Sequence, residues 1–242
     1  MGHYALQDLY MAGVQWELTE SPVKQVKNTV SQSVDMKNKP VIVPASAPIT
    51  LSIVQSMVNR PNDIDSLVRM IGEFNHPLRS GATNVVMPNI ATNPNGLVII
   101  TDIPSTDDDL SGQVLSGAAG EMIDKMLSAI EMGRDSVSII PLVFWRTPGG
   151  RTPSREELDL IRPFIDKLLE MLKPKIVITL GTLATTEIAK TNLTTNHGTQ
   201  INHDDGYVIV PLYHPNYLIL KPSAKRDVWN ALQNVQKMLK NS

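Results

Sequence analysis

The chain has 242 residues, a hydrophobic fraction of 42% and a formal net charge of −2. That suits one large domain, or a domain with an appendage, built around a real apolar core. The absence of cysteine excludes disulfides, thiolate nucleophiles and cysteine-held zinc or iron–sulfur centres; no apolar run reaches the roughly 18 residues of a membrane span, and the charge balance argues mildly against nucleic acid without excluding a local basic patch.

The opening MGHYALQDLYMAG lacks a basic segment followed by an apolar one, so no signal peptide and a cytoplasmic location are expected. Leu6, Leu9, Tyr10 and Val14 predict a short amphipathic helix over 4–16. Residues 20–52 are rich in Ser, Thr, Pro, Lys and Asn and read as an extended linker. The expected organisation is therefore an arm over 1–60 and a main domain over 61–242. Ile64, Leu67, Val68 and Ile71 predict a helix over 63–74. Beyond it, apolar runs at 96–101, 136–144, 175–180 and 206–212 alternate with helical patterns at 118–132, 152–172, 182–189 and 225–239. The second of these helices, over 152–172, opens with Thr152 as N-cap and Pro153 behind it. Strands apolar on both faces that alternate with helices predict a three-layer α/β/α domain with a central, mainly parallel, four-stranded sheet.

Such sheets bind ligands at the carboxyl ends of their strands, which selects three loops. The first, 101–109, holds Asp102, Asp107, Asp108 and Asp109; it reads either as a capped turn or as an active-site acid. The second, 145–151, sets Arg146 and Arg151 around Pro-Gly-Gly, a fork for phosphates or a pair of exposed arginines. The third, 213–218, fixes His214 between a buried strand and Pro215. The histidines at 3, 76, 197, 203 and 214 are scattered, and 197 and 203 lie in a polar stretch that reads as a solvated loop. No metal and no cofactor are expected.

Six segments together resemble the uracil-DNA glycosylase superfamily, and within it the family 4 branch: TDIPSTDDD (101–109), GQVLSGAAGEMIDKML (112–127), PLVFWRTPGGR (141–151), RPFI (162–165), PKIVITLG (174–181) and HPNYL (214–218). The family's first motif reads GE-x-PG-x-x-ED. The resemblance implies a domain that flips a damaged base out of DNA, at a cost of a few kcal/mol. It also implies hydrolysis of the base's N-glycosidic bond in base excision repair. His214 would stabilise the departing base, and Asp102 would position water and offset the sugar cation. Pro104, Ser105, Pro215 and Asn216 would pinch the DNA backbone, with Arg146, Arg151, Lys225 and Arg226 as further contacts. Ile103, Leu115 and Pro141 would line the base pocket. The implied partner is uracil-containing or otherwise deaminated DNA, with no membrane and a monomeric state.

The departures fall on the same site. Asp102 stands for the family's Glu, one methylene shorter, and Ser105 for a Gly. Leu115 replaces a stacking Phe, worth about 1–3 kcal/mol by analogy with base–aromatic stacking. Pro141 replaces an Asn that reads the uracil edge, and proline has neither a side-chain amide nor an N–H. Trp145 and Ile161 occupy the last two positions of the family's iron–sulfur cysteines, while His76 and a residue near Glu73 or Phe74 fall close to the first two. Apolar packing is expected to replace the cluster. Three readings stay open: a divergent glycosylase, a relative that binds DNA without cleaving it, and an interaction module on the same fold.

Overall fold

The computed structural model describes residues 49–241. The helix expected over 4–16 and most of the linker expected over 20–52 lie outside the described residues. The elements in order are α1 (Leu51–Val58), α2 (Ile64–Glu73), β1 (Leu97–Thr101), α3 (Thr106–Ser111), α4 (Gly117–Ser128) and β2 (Ser138–Pro141). There follow α5 (Arg155–Leu172), β3 (Ile176–Leu180), α6 (Thr182–Ala184), α7 (Leu193–Asn196), β4 (Ile201–Asn202), β5 (Val208–Leu212), α8 (Pro215–Leu220) and α9 (Lys225–Lys240).

The strands lie in the order β2-β1-β3-β5-β4. β1 pairs in parallel with β2 and β3, and β3 with β5. The runs LVIIT, IVITL and VIVPL form these strands because branched side chains suit a pleated surface buried on both faces. Alternation along each strand divides the core. Val98, Ile100, Ile140, Val177 and Ile209 face a layer with Val54 of α1, Leu67 and Ile71 of α2 and Phe164 and Leu168 of α5. Leu97, Ile99, Ile139, Ile178, Leu180 and Val210 face a second layer with Ile123 and Leu127 of α4 and Val228 and Leu232 of α9. Each such side chain stabilises the fold by about 1.5–3 kcal/mol relative to exposure. Among the described residues no helix is long and apolar enough to cross a membrane.

The three-layer expectation is met with one correction: among the described residues the sheet has five strands, not four. β4 pairs antiparallel with β5 from within the polar stretch read as a loop. Two residues are too few to carry a period. The helix expected from Thr152 starts at Arg155 instead, capped by Ser154, whose side chain and that of Glu157 satisfy each other's backbone N–H groups. The helix expected over 182–189 is a single α turn continued by a π turn, Thr185–Ala189. Residues 51–58, assigned from sequence to the arm, form α1, and Val54 and Val58 share a buried layer with α5.

Candidate active site

From β1 the chain passes to β2 on one side and then to β3 on the other, so the carboxyl ends of β1 and β3 flank the crevice where doubly wound sheets bind ligands. Thr101 ends β1 in register with Pro141 of β2 and Leu180 of β3. Asp102 comes next, and its carboxylate crosses to the start of α6. There Oδ1 accepts the Ala184 N–H at 2.6 Å, and the N–H groups of Leu183 and Thr182 add to the cradle. Gly181 makes the approach feasible. It has φ +103, and a Cβ on it would collide with the Asp102 carboxylate. An acid is thus the anion that this helix start favours. Burial pushes its carboxyl up to about 6, and the three N–H groups keep it from rising further.

His214 arrives from β5 as the N-cap of α8, with Pro215 at the first helical position. Its Nδ1 accepts the Asn216 N–H at 3.2 Å. In the neutral ring the proton must therefore sit on Nε2. That Nε2–H donates to Thr101 Oγ1 at 3.1 Å. Burial pushes the imidazole down to about 4, opposed by the charge of Asp108. At neutral pH the ring is an uncharged, oriented donor at the sheet edge.

The residues expected to line the base pocket are placed unevenly. Pro141 is buried at the end of β2, and the Leu142 N–H donates to the Thr101 carbonyl at 2.8 Å. Ile103 packs toward the α5 side of the sheet. Leu115 is 2% exposed and belongs to the opposite layer. It has φ +50, strained for a branched side chain. Arg134 holds this kink by donating to the carbonyls of Leu115 (2.6 Å) and Val114 (2.9 Å) while pairing with Asp124. Two clefts lie away from these residues. One of about 780 Å³ runs between α1, α5 and Tyr207, and another of about 690 Å³ lies beside α2; neither is lined by Asp102, Leu115, Pro141 or His214.

Two of the acids after Asp102, Asp108 and Asp109, are held in hydrogen bonds to the backbone. Asp108 Oδ2 accepts the Ser105 N–H (2.8 Å), and its Oδ1 accepts the Ser116 N–H (2.6 Å) and hydroxyl (2.7 Å). It thereby ties Pro104-Ser105 to the Leu115 turn. Asp109 receives the N–H groups of Thr83 and Asn84. Arg151 is engaged as well, in a two-pronged pair with Glu157 at 2.6 and 2.8 Å. Arg146 is half-buried, and its guanidinium has no partner among the described residues. Lys225 and Arg226 open α9, exposed and without an ion-pair partner among the described residues. Cations are disfavoured at that end of a helix. Beside them α8 presents Tyr217, Ile219 and Leu220, the last 85% exposed, with Lys221 Nζ 5.8 Å above the Tyr217 ring.

A profile of the uracil DNA glycosylase superfamily matches residues 88–233, more than half of the chain and all of this site. The chain belongs to the uracil-DNA glycosylase superfamily. It is 27% identical over 176 residues to the type-4 uracil-DNA glycosylase of Archaeoglobus fulgidus, covering 68% of this chain and 87% of that one. To the Thermotoga maritima protein of the same name it is 28% identical over 171 residues, covering 68% and 88%. A third, from Pyrobaculum aerophilum, is 34% identical over 89 residues, covering 37% and 45%.

The residues expected at or close to the family's cluster-ligand positions pack together. His76 stacks on Trp145 with centroids 4.9 Å apart and planes 2° from parallel. Phe74 lies 5.0 Å from Phe164 and 6.2 Å from Trp145, and Ile161 is buried in the same layer. The His76 ring is neutral here: Nδ1 accepts the Leu78 N–H, Nε2 donates to the Glu157 carbonyl, and burial lowers its pKa. Sequence reasoning passed over two residues of the site. Thr101 stands where the family's first motif has glycine, a signal present in the same alignment that located Asp102. Arg134 carried no signal, since it acts through carbonyls some twenty positions away.

Proposed function

We propose that this protein is a divergent DNA glycosylase that hydrolyses the N-glycosidic bond of uracil or another deaminated base in DNA. The observation that carries the reading is His214: a neutral imidazole with a fixed tautomer, its Nε2–H aimed inward at the carboxyl edge of the sheet. As the glycosidic bond breaks, negative charge gathers on the base and positive charge on the sugar. A neutral N–H pre-aimed at a base oxygen stabilises the first without reorganising. Asp102 offsets the second. A carboxyl near 6 is ionised at neutral pH and matched to taking a proton from the attacking water.

Binding is served by the ridge next to His214. Phosphates near Lys225 and Arg226 would neutralise two unpaired cations and the start of α9 together. The apolar tip formed by Tyr217, Ile219 and Leu220 suits contact with unstacked bases. With Pro141 unable to read a base edge by hydrogen bonding, selectivity falls to ease of flipping, which favours mispaired or single-stranded bases. The second reading, a DNA binder without cleavage, draws on Asp102 and His214 both being engaged by protein groups. Incubation with uracil-, hypoxanthine- and xanthine-containing oligonucleotides, followed by alkali, separates the two. Intact strands at stoichiometric protein, with retained salt-dependent binding, select the second.

A further inference from the structure

We propose that Thr101 is a specificity-determining residue that latches His214. Its hydroxyl occupies the Nε2–H as a competing acceptor, and a base in the site must displace that hydroxyl to engage the imidazole. The inference rests on the glycosylase reading only for the identity of the displacing group, a base carbonyl oxygen.

Geometry leaves the imidazole one bond to give. Nδ1 is committed to the Asn216 N–H, so Nε2–H is the ring's sole polar hydrogen, and Thr101 Oγ1 takes it at 3.1 Å. The acceptor is not mobile. Thr101 is 4% exposed, and its backbone is clamped between β2 and β3. A β-branched side chain on a strand is also stiff about its first torsion. Removing the hydroxyl would leave a buried donor unsatisfied, which makes the site more receptive to any other acceptor.

The consequence is chemical discrimination. A neutral carbonyl gains little by displacing a hydroxyl, because one neutral hydrogen bond replaces another. An oxygen collecting negative charge gains a charge-assisted bond of about twice the strength. The latch therefore cancels most of the affinity that the donor would give to an intact base, while the stronger bond to a departing base still lowers the barrier.

The test is equilibrium binding to an oligonucleotide carrying 2′-fluoro-deoxyuridine, whose glycosidic bond resists cleavage, and to the same strand with a tetrahydrofuran abasic analogue. Thr101→Val keeps the side chain's shape and deletes the acceptor, Thr101→Ser keeps the hydroxyl, and Thr101→Gly stands in should valine disturb the strand. The valine form should bind the fluorouridine strand about fivefold more tightly than wild type, the worth of one neutral hydrogen bond. Serine should match wild type, and all forms should bind the abasic strand alike. Equal or weaker binding by the valine form, or an equal gain on the abasic strand, overturns the latch. Excision is measured alongside. Failure of every form to excise, with the binding difference intact, refutes the glycosylase reading and leaves the latch standing.

Discussion

Asp102→Asn isolates a charge that the fold holds at a cost. The unfolded carboxyl titrates near 3.8 and the folded one near 6. Between those values the native state binds more protons than the unfolded chain, so this group makes stability fall as pH rises through the window and stay flat above it. The shift of roughly two units corresponds to about 3 kcal/mol. Asparagine keeps an oxygen for the Ala184 N–H and does not titrate. Urea unfolding of both proteins from about pH 4 to about pH 8 gives the difference in stability directly, with other groups cancelling. Of the energy of the full shift, wild type should lose about 2 kcal/mol relative to Asp102→Asn between pH 4 and 7, the rest lying outside this range. A difference that stays level across this range would refute the placement of a desolvated carboxyl at the start of α6. His214 supplies the opposite slope: with its pKa lowered from 6.5 to about 4, the unfolded chain binds more protons in that window, and stability is lost as pH falls through it. The two nearly cancel in wild type, so His214→Gln should unmask the Asp102 slope.

Four further outcomes are expected. Excision should rise with pH through about 6 as Asp102 ionises, a midpoint readable from single-turnover rates. His214→Ala should lower the rate by about a hundredfold or more, the effect of removing a pre-aimed donor, with oligonucleotide affinity largely kept. Arg134→Ala should destabilise the fold by about 1–3 kcal/mol through two lost carbonyl bonds, measured by urea unfolding, and should slow excision by loosening the Leu115 turn. Changing Lys225 and Arg226 together to alanine should reduce the salt slope of DNA binding by about 2, roughly one per phosphate, while Arg151→Ala should change it little because Glu157 already holds that guanidinium.

Much of the fold was legible because β1, β3 and β5 are buried on both faces and so read as unbroken apolar runs. β4 was not, since two residues in a polar hairpin owe their strand state to β5 alone. The prolines at 40, 44 and 48 disguised α1, whose helicity is secured by burying Val54 and Val58. At the site, strand ends and family motifs located Asp102 and His214. What those residues touch depends on contacts across the fold: His214 meets Thr101 over 113 positions, and Asp102 meets Ala184 over 82. Asp108 followed the capped-turn reading, whereas Asp109 braces a distant segment through Thr83 and Asn84. Arg151 looked free until Glu157 turned out to serve both it and the Ser154 cap.

The most direct test of the central claim is alkali-revealed cleavage of a uracil-containing single strand and of its duplex with guanine opposite uracil, comparing wild type with His214→Ala. The account predicts abasic-site cleavage by wild type that is nearly absent in the variant. Intact strands with wild-type protein at stoichiometric concentration, or equal cleavage by both proteins, would contradict it.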